Sequence, residues 1–395
     1  MAHVRELKRK DGTTAFMLVV EDGKSLTGVR KQKTKTIRGV TRKEAEIELY
    51  KFEKLVKEGN YIEPNNISLN SYIHQWMDVF VKPYNSPTTN AGYMQKIDSY
   101  ICGEKGGIGH IAVQKLNPMI IQNFINKIKD KSPVSGNPLS AKTVRDTYII
   151  LKACLNNAVK MKIINENPAV DIRLPKRQKK EIKVFSMEEI DILLNHLKDT
   201  KSDMELPVNL ALSMGLRRGE VLGLRFSDVD YEKKTIAIHN NRVRCCNYEI
   251  VEKAPKTVNS IRIVNVPDTI LRMIKRQETR WKKKQLRYGK DYNKNGYICY
   301  KVETGNPWKP DNLTQKYRRM IKNLGLTPVS FHGLRHCFAS ICLHQNIELL
   351  EISKLLGHSS ASFTLDTYTH LLEDKGSVVA NVMDGVLYKK SSKVG

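Results

Sequence analysis

The chain has 395 residues, 40% of them hydrophobic, and a formal net charge of +26 from 67 Lys and Arg against 41 Asp and Glu. Its length predicts two or three domains, and no stretch approaches the ~18 consecutive apolar residues that a membrane span needs. The seven cysteines lack paired C-x-x-C spacings, which argues against a disulfide framework and a zinc site, and the cation surplus favours nucleic acid over an anionic membrane surface as the partner.

The first residues, MAHVRELKRKDG, are charged and lack the apolar segment of a secretory signal. We therefore expect a cytoplasmic, nucleoid-associated protein of bacterial origin that does not act at a membrane.

Residues 1–62 are predicted to form a small N-terminal domain, a three-stranded β-sheet plus one helix. The runs TTAFMLVV and TKTIRGV are typical of strands, and TRKEAEIELYKFEKLVKEG predicts a helix that is capped by Thr41 and ends at Gly59. The first 43 residues carry 12 Lys and Arg against 4 Asp and Glu, so phosphate contact is favoured over a merely solvated face. The expected DNA-binding residues here are Lys8, Arg9, Lys10, Arg30, Lys31, Lys33 and Lys35.

Residues 66–173 are predicted to form a helical bundle from four amphipathic stretches. In the last stretch, five apolar residues fall three or four apart and should face the core. They are Val144, Tyr148, Leu151, Leu155 and Ala158.

Residues 174–184, LPKRQKKEIKV, are predicted to be a basic linker. The linker can be a solvated tether or a strap along a nucleic-acid backbone, and the sequence leaves both readings open. In the second case its DNA-binding residues are Lys176, Arg177, Lys179 and Lys180.

Residues 185–376 are predicted to form a mostly helical domain with one small antiparallel sheet, and a tail follows at 377–395. The domain should begin at a capping box between Ser186 and Glu189. The tail carries apolar residues that either pack on its own domain or dock on a neighbouring subunit, and docking is favoured.

Five short elements of this domain carry residues that suit the handling of a phosphate. An arginine at a helix break can offer its planar fork to two phosphate oxygens, and a lysine at a hairpin tip can protonate a departing oxygen. A tyrosine oxygen is a poor nucleophile at its free pKa near 10, so it needs cations and a base nearby. Taken singly, each of these residues is more often solvated or structural than catalytic. In chain order they are Arg217 and Glu220 in MGLRRGEVLGL, Lys256 in EKAPKTVNSIRI, His332 and Arg335 in SFHGLRHC, His358 in LLGHSS, and Tyr368 in TLDTYTHLL.

The ordered set resembles the active site of the tyrosine recombinases, the phage integrase family, and more closely that of conjugative-transposon integrases. The family pattern is Arg, Lys, His-x-x-Arg, His or Trp, and Tyr, with an acidic residue after the first arginine, where Glu220 stands. The resemblance covers almost the whole chain. It implies an arm-site-binding N-terminal domain, a core-site-binding helical domain and a tyrosine-recombinase catalytic domain.

The resemblance also implies a role for each residue. Tyr368 attacks a DNA phosphodiester and forms a 3′-phosphotyrosine, and Lys256 protonates the leaving 5′-hydroxyl. His332 accepts the tyrosine proton. Arg217 and Arg335, with the two histidines, stabilise the charge on the phosphorus-bound oxygens, so the resemblance implies neither a metal nor another cofactor.

Three positions depart from the family pattern without removing a reacting group. Met214 stands where threonine is common, Gly333 where aspartate often sits, and Cys337 where threonine usually follows. Because Cys337 lies beside the site, we expect activity to be sensitive to oxidation.

The implied partners are double-stranded DNA, at core and arm sites of element ends and in target DNA, and three further copies of the chain. Strand exchange between two duplexes through a Holliday junction needs four active sites, hence a homotetramer on DNA. An excisionase or a host DNA-bending factor is a further partner that the resemblance allows.

Other functions remain open from the residues alone. A type IB topoisomerase-like enzyme shares the chemistry but relaxes one duplex as a monomer, and the N-terminal domain and tail argue against it. A non-catalytic DNA-binding regulator would not need Tyr368. A metal-dependent nuclease is disfavoured because the sequence has no obvious carboxylate cluster.

Overall fold

The computed structural model describes residues 2–8, 14–24, 30–176, 182–244, 249–253 and 261–357. The chain divides into two compact units, 1–178 and 179–395, so the division falls inside the predicted linker. The fold is mostly helical with small antiparallel sheets, as the sequence predicts. Among the described helices, none combines the length and the apolar composition needed to cross a membrane.

The first unit begins with an antiparallel sheet of order β1-β2-β3, covered on one face by a helix. Its elements are β1 (His3–Lys8), β2 (Thr14–Lys24), β3 (Arg30–Arg38) and α1 (Arg42–Lys57). Successive side chains of a strand point to opposite faces, so Phe16, Leu18 and Val20 of β2 lie together and pack against Phe52 and Val56 of α1. This confirms the predicted three-stranded sheet with one helix.

The ends of α1 follow the sequence signals. The Thr41 N–H donates to the Glu44 carboxylate at 2.7 Å, and the Glu44 N–H donates to the Thr41 hydroxyl at 3.4 Å, which completes a capping box. Gly59 follows the helix with φ +70°, a backbone conformation that glycine adopts without a Cβ penalty.

The rest of the first unit is a helical bundle with its own core. Its helices are α2 (Leu69–Trp76), α3 (Pro87–Lys96), α4 (Pro118–Asp130) and α5 (Ala141–Lys160). Single π turns extend α2 over Met77–Val81 and α3 over Ile97–Ile101. All five residues predicted for the inner face of α5 are buried, which confirms that periodicity.

Around one large core, with a smaller cluster between its last two helices, the second unit holds the remaining helices and strands. They are α6 (Met187–Asp199), α7 (Glu205–Met214), α8 (Arg218–Gly223), β4 (Val229–Asp230), β5 (Thr235–Ile238), β6 (Asn241–Arg244), β7 (Ile250–Lys253), β8 (Arg262–Asn265), α9 (Asp268–Tyr288), α10 (Pro310–Asn323), α11 (Gly333–His344) and α12 (Leu349–Leu356). Helix α6 starts with the predicted capping box between Ser186 and Glu189. Helix α7 is buried on nearly every side and contacts α6, α8, α9 and α11.

The described residues of this unit form two small antiparallel sheets, where the sequence predicts one. One has the order β4-β5-β8, and the other is the ribbon β6-β7. The ribbon lies on α8 instead of extending the first sheet, since Gly219 and Gly223, one turn apart, let Asn241 and Asn240 approach closely. Strands β7 and β8, expected to form one hairpin around Lys256, therefore belong to different sheets.

The run YICY, residues 297–300, makes isolated bridges and no strand, with Arg225 bridged to Tyr297 and Tyr300 to Pro307. All four residues of the run are buried in the core, although they form no hydrogen-bonded strand ladder.

Candidate active site

Four helix ends meet where the sequence predicts the phosphate-handling residues. Helix α7 ends at Gly215 and α12 ends at Gly357, each with φ +63°. A Cβ on Gly215 would lie 2.6 Å from Phe338 and 2.7 Å from Leu356, so glycine permits both the left-handed turn and the close approach of α11 and α12. The N-terminal ends of α8 and α11 lie beside these two C-terminal ends, and Arg217 is the N-cap residue of α8.

Arg335, in the first turn of α11, holds two of these helix ends together. Its side chain is buried, and it donates from Nη1 to the Gly215 carbonyl at 2.9 Å and from Nη2 to the Leu356 carbonyl at 2.6 Å. Both acceptors are helix-terminal carbonyls that lack an intrahelical partner. The guanidinium is therefore fixed by its surroundings.

Arg217 and Glu220 form the second anchored pair. The Glu220 carboxylate, 2% exposed, accepts from the Arg217 N–H at 2.9 Å and from Arg217 Nη1 at 2.7 Å. Arg217 also donates from Nη2 to the Gly357 carbonyl at 2.8 Å, while about a third of its side chain stays exposed. The exposed part is available to an anion.

A third arginine, Arg262 at the start of β8, completes the cluster. It donates to both oxygens of Glu220, at 3.3 and 3.1 Å, and from Nε to the Leu355 carbonyl at 2.9 Å. Burial raises the pKa of Glu220, but Arg262 and Arg217 outweigh it and hold that pKa below its usual value. Arg217 and Arg262 thus share the one carboxylate of Glu220, and the guanidinium of Arg335 lies beside them bonded to carbonyl oxygens, so the cluster carries a local surplus of positive charge.

The three arginines bind three consecutive carbonyls at the end of α12. Leu355 accepts from Arg262, Leu356 from Arg335 and Gly357 from Arg217. Each arginine comes from a different element, namely β8, α11 and α8. The chain is thereby fixed immediately before position 358.

His332 lies exposed at the start of α11, where the Gly333 N–H donates to the Ser330 hydroxyl at 3.0 Å. Desolvation by the surrounding protein, followed by the charges of Arg335 and Arg217, lowers the pKa of His332 below 6.5. Its ring packs edge to face with that of His336, whose pKa desolvation lowers to about 4. The His332 imidazole is therefore neutral at pH 7 and can accept a proton.

Three predicted catalytic residues, Lys256, His358 and Tyr368, lie outside the described residues. So do the predicted DNA-binding residues Arg9, Lys10, Arg177, Lys179 and Lys180, the side chain of Arg30, and the tail 377–395.

The described residues at the positions that depart from the family pattern are all tightly packed. A Cβ on Gly333 would lie 2.6 Å from Val329 Cγ1, which leaves no room for an aspartate, and Met214 is buried. Cys337 is buried, its Sγ accepts from the Phe185 N–H at 3.4 Å, and burial raises the pKa of its thiol. The enclosed thiol and its raised pKa argue against the expected sensitivity to oxidation, which stays a prediction.

The cations predicted on the N-terminal sheet fall into two groups. Lys8 and Lys31 are exposed, as is Lys176 in the linker. Lys33 and Lys35 lie on the α1 face, opposite Val20 and Leu18 in the register, where Lys33 binds Glu63 at 2.5 Å and the exposed Lys35 binds Glu48 at 3.6 Å.

Sequence reasoning missed Arg262. The signal was an arginine between Ile261 and Ile263 in a strand, where alternation turns it to the face opposite the isoleucines. Both isoleucines are exposed, at 55% and 74%, and Arg262 is turned inward.

Comparison with known proteins identifies the family. Residues 183–375 match the Phage integrase family, and residues 68–174 match the Phage integrase SAM-like domain. The chain belongs to the phage integrase family, the tyrosine recombinases. It is accordingly a DNA strand-cleaving and rejoining enzyme, and the expectation from the sequence is confirmed.

The similarity extends along nearly the whole chain. A XerC-like tyrosine recombinase of Caldanaerobacter subterraneus subsp. tengcongensis is 28% identical over 393 residues, 95% of this chain and 97% of the relative. The Tn1549 transposon integrase in complex with circular intermediate DNA has a TM-score of 0.65 and 16% identity, over 80% of this chain and 99% of that one. A lambda integrase tetramer bound to a Holliday junction has a TM-score of 0.55 and 16% identity, over 99% and 97%. These two structures share the fold of this tyrosine recombinase.

Proposed function

We propose that this recombinase excises and integrates a mobile element, using Tyr368 to cut and rejoin DNA at the arginine cluster. The observation that carries the proposal is the binding of Arg217, Arg262 and Arg335 to three consecutive carbonyls just before His358. This arrangement sets an electropositive site at the start of the segment that leads to Tyr368.

The proposed reaction is a transesterification. The Tyr368 oxygen attacks the phosphorus while the bond to the 5′-oxygen breaks, and the product is a 3′-phosphotyrosine with a free 5′-hydroxyl. His332 takes the tyrosine proton, and Lys256 gives a proton to the leaving oxygen. A 5′-hydroxyl from a second duplex then reverses the step, so no ATP is consumed.

Arg217 and Arg335, with His358, would stabilise the five-coordinate phosphorus. Charge develops on its equatorial oxygens, and donors that are already oriented stabilise this charge without reorganising. The bonds that fix Arg335, and the pairing of Arg217 with buried Glu220, supply that orientation.

The proposed division of labour follows the domains predicted from the sequence. Residues 66–173 and 185–376, joined by the basic linker 174–184, would each bind the core site, and residues 1–62 would bind an arm site. Four subunits would act together on a Holliday junction, with the tail 377–395 docked on a neighbour. The proposed setting is the bacterial nucleoid, where an excisionase or a DNA-bending factor would set direction.

The sheet face that α1 leaves uncovered is the proposed surface for arm DNA. By the strand register, Arg5 and Arg38 lie on that face with Thr34 and Thr36, opposite the face packed on α1. Two arginines flanked by hydroxyl groups provide donors for phosphates and base edges.

A nicked duplex that carries the element's end tests the proposal. Loss of the short fragment beyond the nick prevents resealing, so the wild-type protein should accumulate a denaturant-resistant adduct that maps to Tyr368. Tyr368→Phe should bind the duplex and form no adduct, whereas Tyr288→Phe, which alters an exposed tyrosine of α9, should react normally. An adduct on another residue, or normal recombination by Tyr368→Phe, would contradict the proposal. Relaxation of plasmids without sites would favour the topoisomerase-like alternative.

A further inference from the structure

Arg262 makes an unusual set of contacts for a strand residue. Its side chain is 9% exposed, and its donors reach a carboxylate on α8 and a backbone carbonyl on α12. These bonds join two other parts of the site.

Glu220 depends on Arg262 because a buried carboxylate needs more than one partner. Arg217 supplies its N–H and Nη1, and Arg262 donates to both carboxylate oxygens from the other side. Without Arg262, the carboxylate would lose part of its charge compensation and would be freer to rotate with Arg217 attached.

The end of α12 also depends on Arg262. The Leu355 carbonyl is one of the last four of the helix, which have no intrahelical donor, and Arg262 Nε supplies one at 2.9 Å. The same guanidinium therefore fixes the distance between Glu220, which orients Arg217, and the helix end that precedes His358.

We propose that Arg262 is a positioning residue that sets Arg217 against the carboxyl end of α12. This inference rests on the proposed role of Arg217 as a phosphate contact. A lysine cannot replace Arg262, because a single ammonium cannot span both Glu220 oxygens and the Leu355 carbonyl in the planar geometry of the fork.

Methylphosphonate substrates distinguish two effects that a change at Arg262 can have, the misplacement of Arg217 and a general loss of protein stability. A methyl group in place of one non-bridging oxygen removes the charge at the scissile phosphate, and each diastereomer removes a different oxygen. The measurement is the single-turnover rate of adduct formation on the phosphate and on both diastereomers. The variants are Arg217→Ala, Arg262→Ala and Arg262→Lys, with Arg276→Ala as an arginine control in an exposed pair with Glu205.

On the phosphate, Arg217→Ala should be slower by about 10²–10³-fold and Arg262→Ala by about 10–10²-fold. One diastereomer should return Arg217→Ala to within about threefold of the wild type on that substrate, since the lost contact is no longer needed. The same diastereomer should rescue Arg262→Ala and Arg262→Lys, and the other should not. Arg276→Ala should match the wild type on every substrate.

The outcomes separate the two proposals. If Arg217→Ala is rescued but both Arg262 variants stay equally slow on all substrates, or are never slow, Arg262 does not act through Arg217 and the inference fails. If Arg217→Ala is itself not slow, or is not rescued, the proposed contact of Arg217 with the phosphate is contradicted. The inference about Arg262, which rests on that contact, is then contradicted as well. Arg262→Lys keeps the test valid should Arg262→Ala not fold.

Discussion

The N-terminal sheet and the arginine cluster of the second unit use cations in opposite ways. On the sheet, Lys8 and Lys31 are exposed, and Lys33 is paired with Glu63, itself a surface residue. In the cluster, Arg335 and Arg262 are buried and bonded to fixed acceptors on more than one element. Many exposed cations therefore set the affinity for a polyanion, while a few cations held in fixed positions set the geometry at one phosphate.

Arg335→Ala should break the cluster most severely. The substitution leaves the Gly215 and Leu356 carbonyls without their donor, at about 1–3 kcal/mol each, and removes a proposed phosphate contact worth about 10²–10³ in rate. Urea unfolding and single-turnover adduct formation measure the two effects. A rate per bound complex equal to that of the wild type would show that Arg335 has no part in the chemistry.

Glu220→Gln should destabilise the fold in a pH-dependent way. The pKa of Glu220 is lower in the folded protein than the usual 4.5, so its stabilisation is present above pH 4.5 and lost as pH falls through the lowered value. We expect a loss of about 3–5 kcal/mol at pH 7, because two arginines lose their anionic partner. The difference between variant and wild type in urea unfolding should narrow below pH 4.5, and a constant difference would contradict this prediction.

Protonation of His332 should slow DNA cleavage at acidic pH, below the ordinary pKa of a histidine. Desolvation and the charges of Arg335 and Arg217 lower the pKa of His332, so the ring reaches half-protonation below pH 6.5. The single-turnover rate should therefore fall in acid, on a limb with a midpoint below pH 6.5. His332→Gln should lose that limb and be slower by about 10²-fold. A limb centred above pH 6.5 that survives in His332→Gln would assign it to another group.

Arg5→Ala and Arg38→Ala should have the smallest effects and act only on binding. Each should reduce the slope of log affinity against log salt by about 0.9 for arm-site duplex, with unchanged cleavage at a core site. Lys33→Ala, on the α1 face and paired with Glu63, is the matched control and should change the slope less. Equal slopes for all three variants would remove the uncovered face as the DNA-binding surface.

Periodicity and capping predicted most of the helices, because those signals are local. The predicted caps at Thr41 and Ser186, the inner face of α5 and the end of α1 at Gly59 all agree with the structure. The pairing of β7 with β6 did not follow from the sequence, because it depends on the packing of Asn241 against Gly219, which no local pattern reveals.

In the active site, too, the sequence predicted the features that depend on local spacing and missed those that depend on tertiary contacts. The spacing of His332 and Arg335 and the position of Glu220 three residues after Arg217 follow from helix geometry, so the sequence predicted which residues would lie together. Arg262 escaped because its partners, Glu220 and the Leu355 carbonyl, lie far along the chain in both directions. The burial of Cys337 likewise depends on tertiary contacts.

Arg217→Lys tests most directly whether fixed geometry, and not charge, drives cleavage. The variant keeps the positive charge but loses the planar fork that binds Glu220 and the Gly357 carbonyl together. On the nicked duplex we predict binding within about twofold of the wild type and adduct formation slower by about 10²-fold. Wild-type adduct formation by Arg217→Lys, or a loss of binding that accounts for all of its defect, would contradict the central claim.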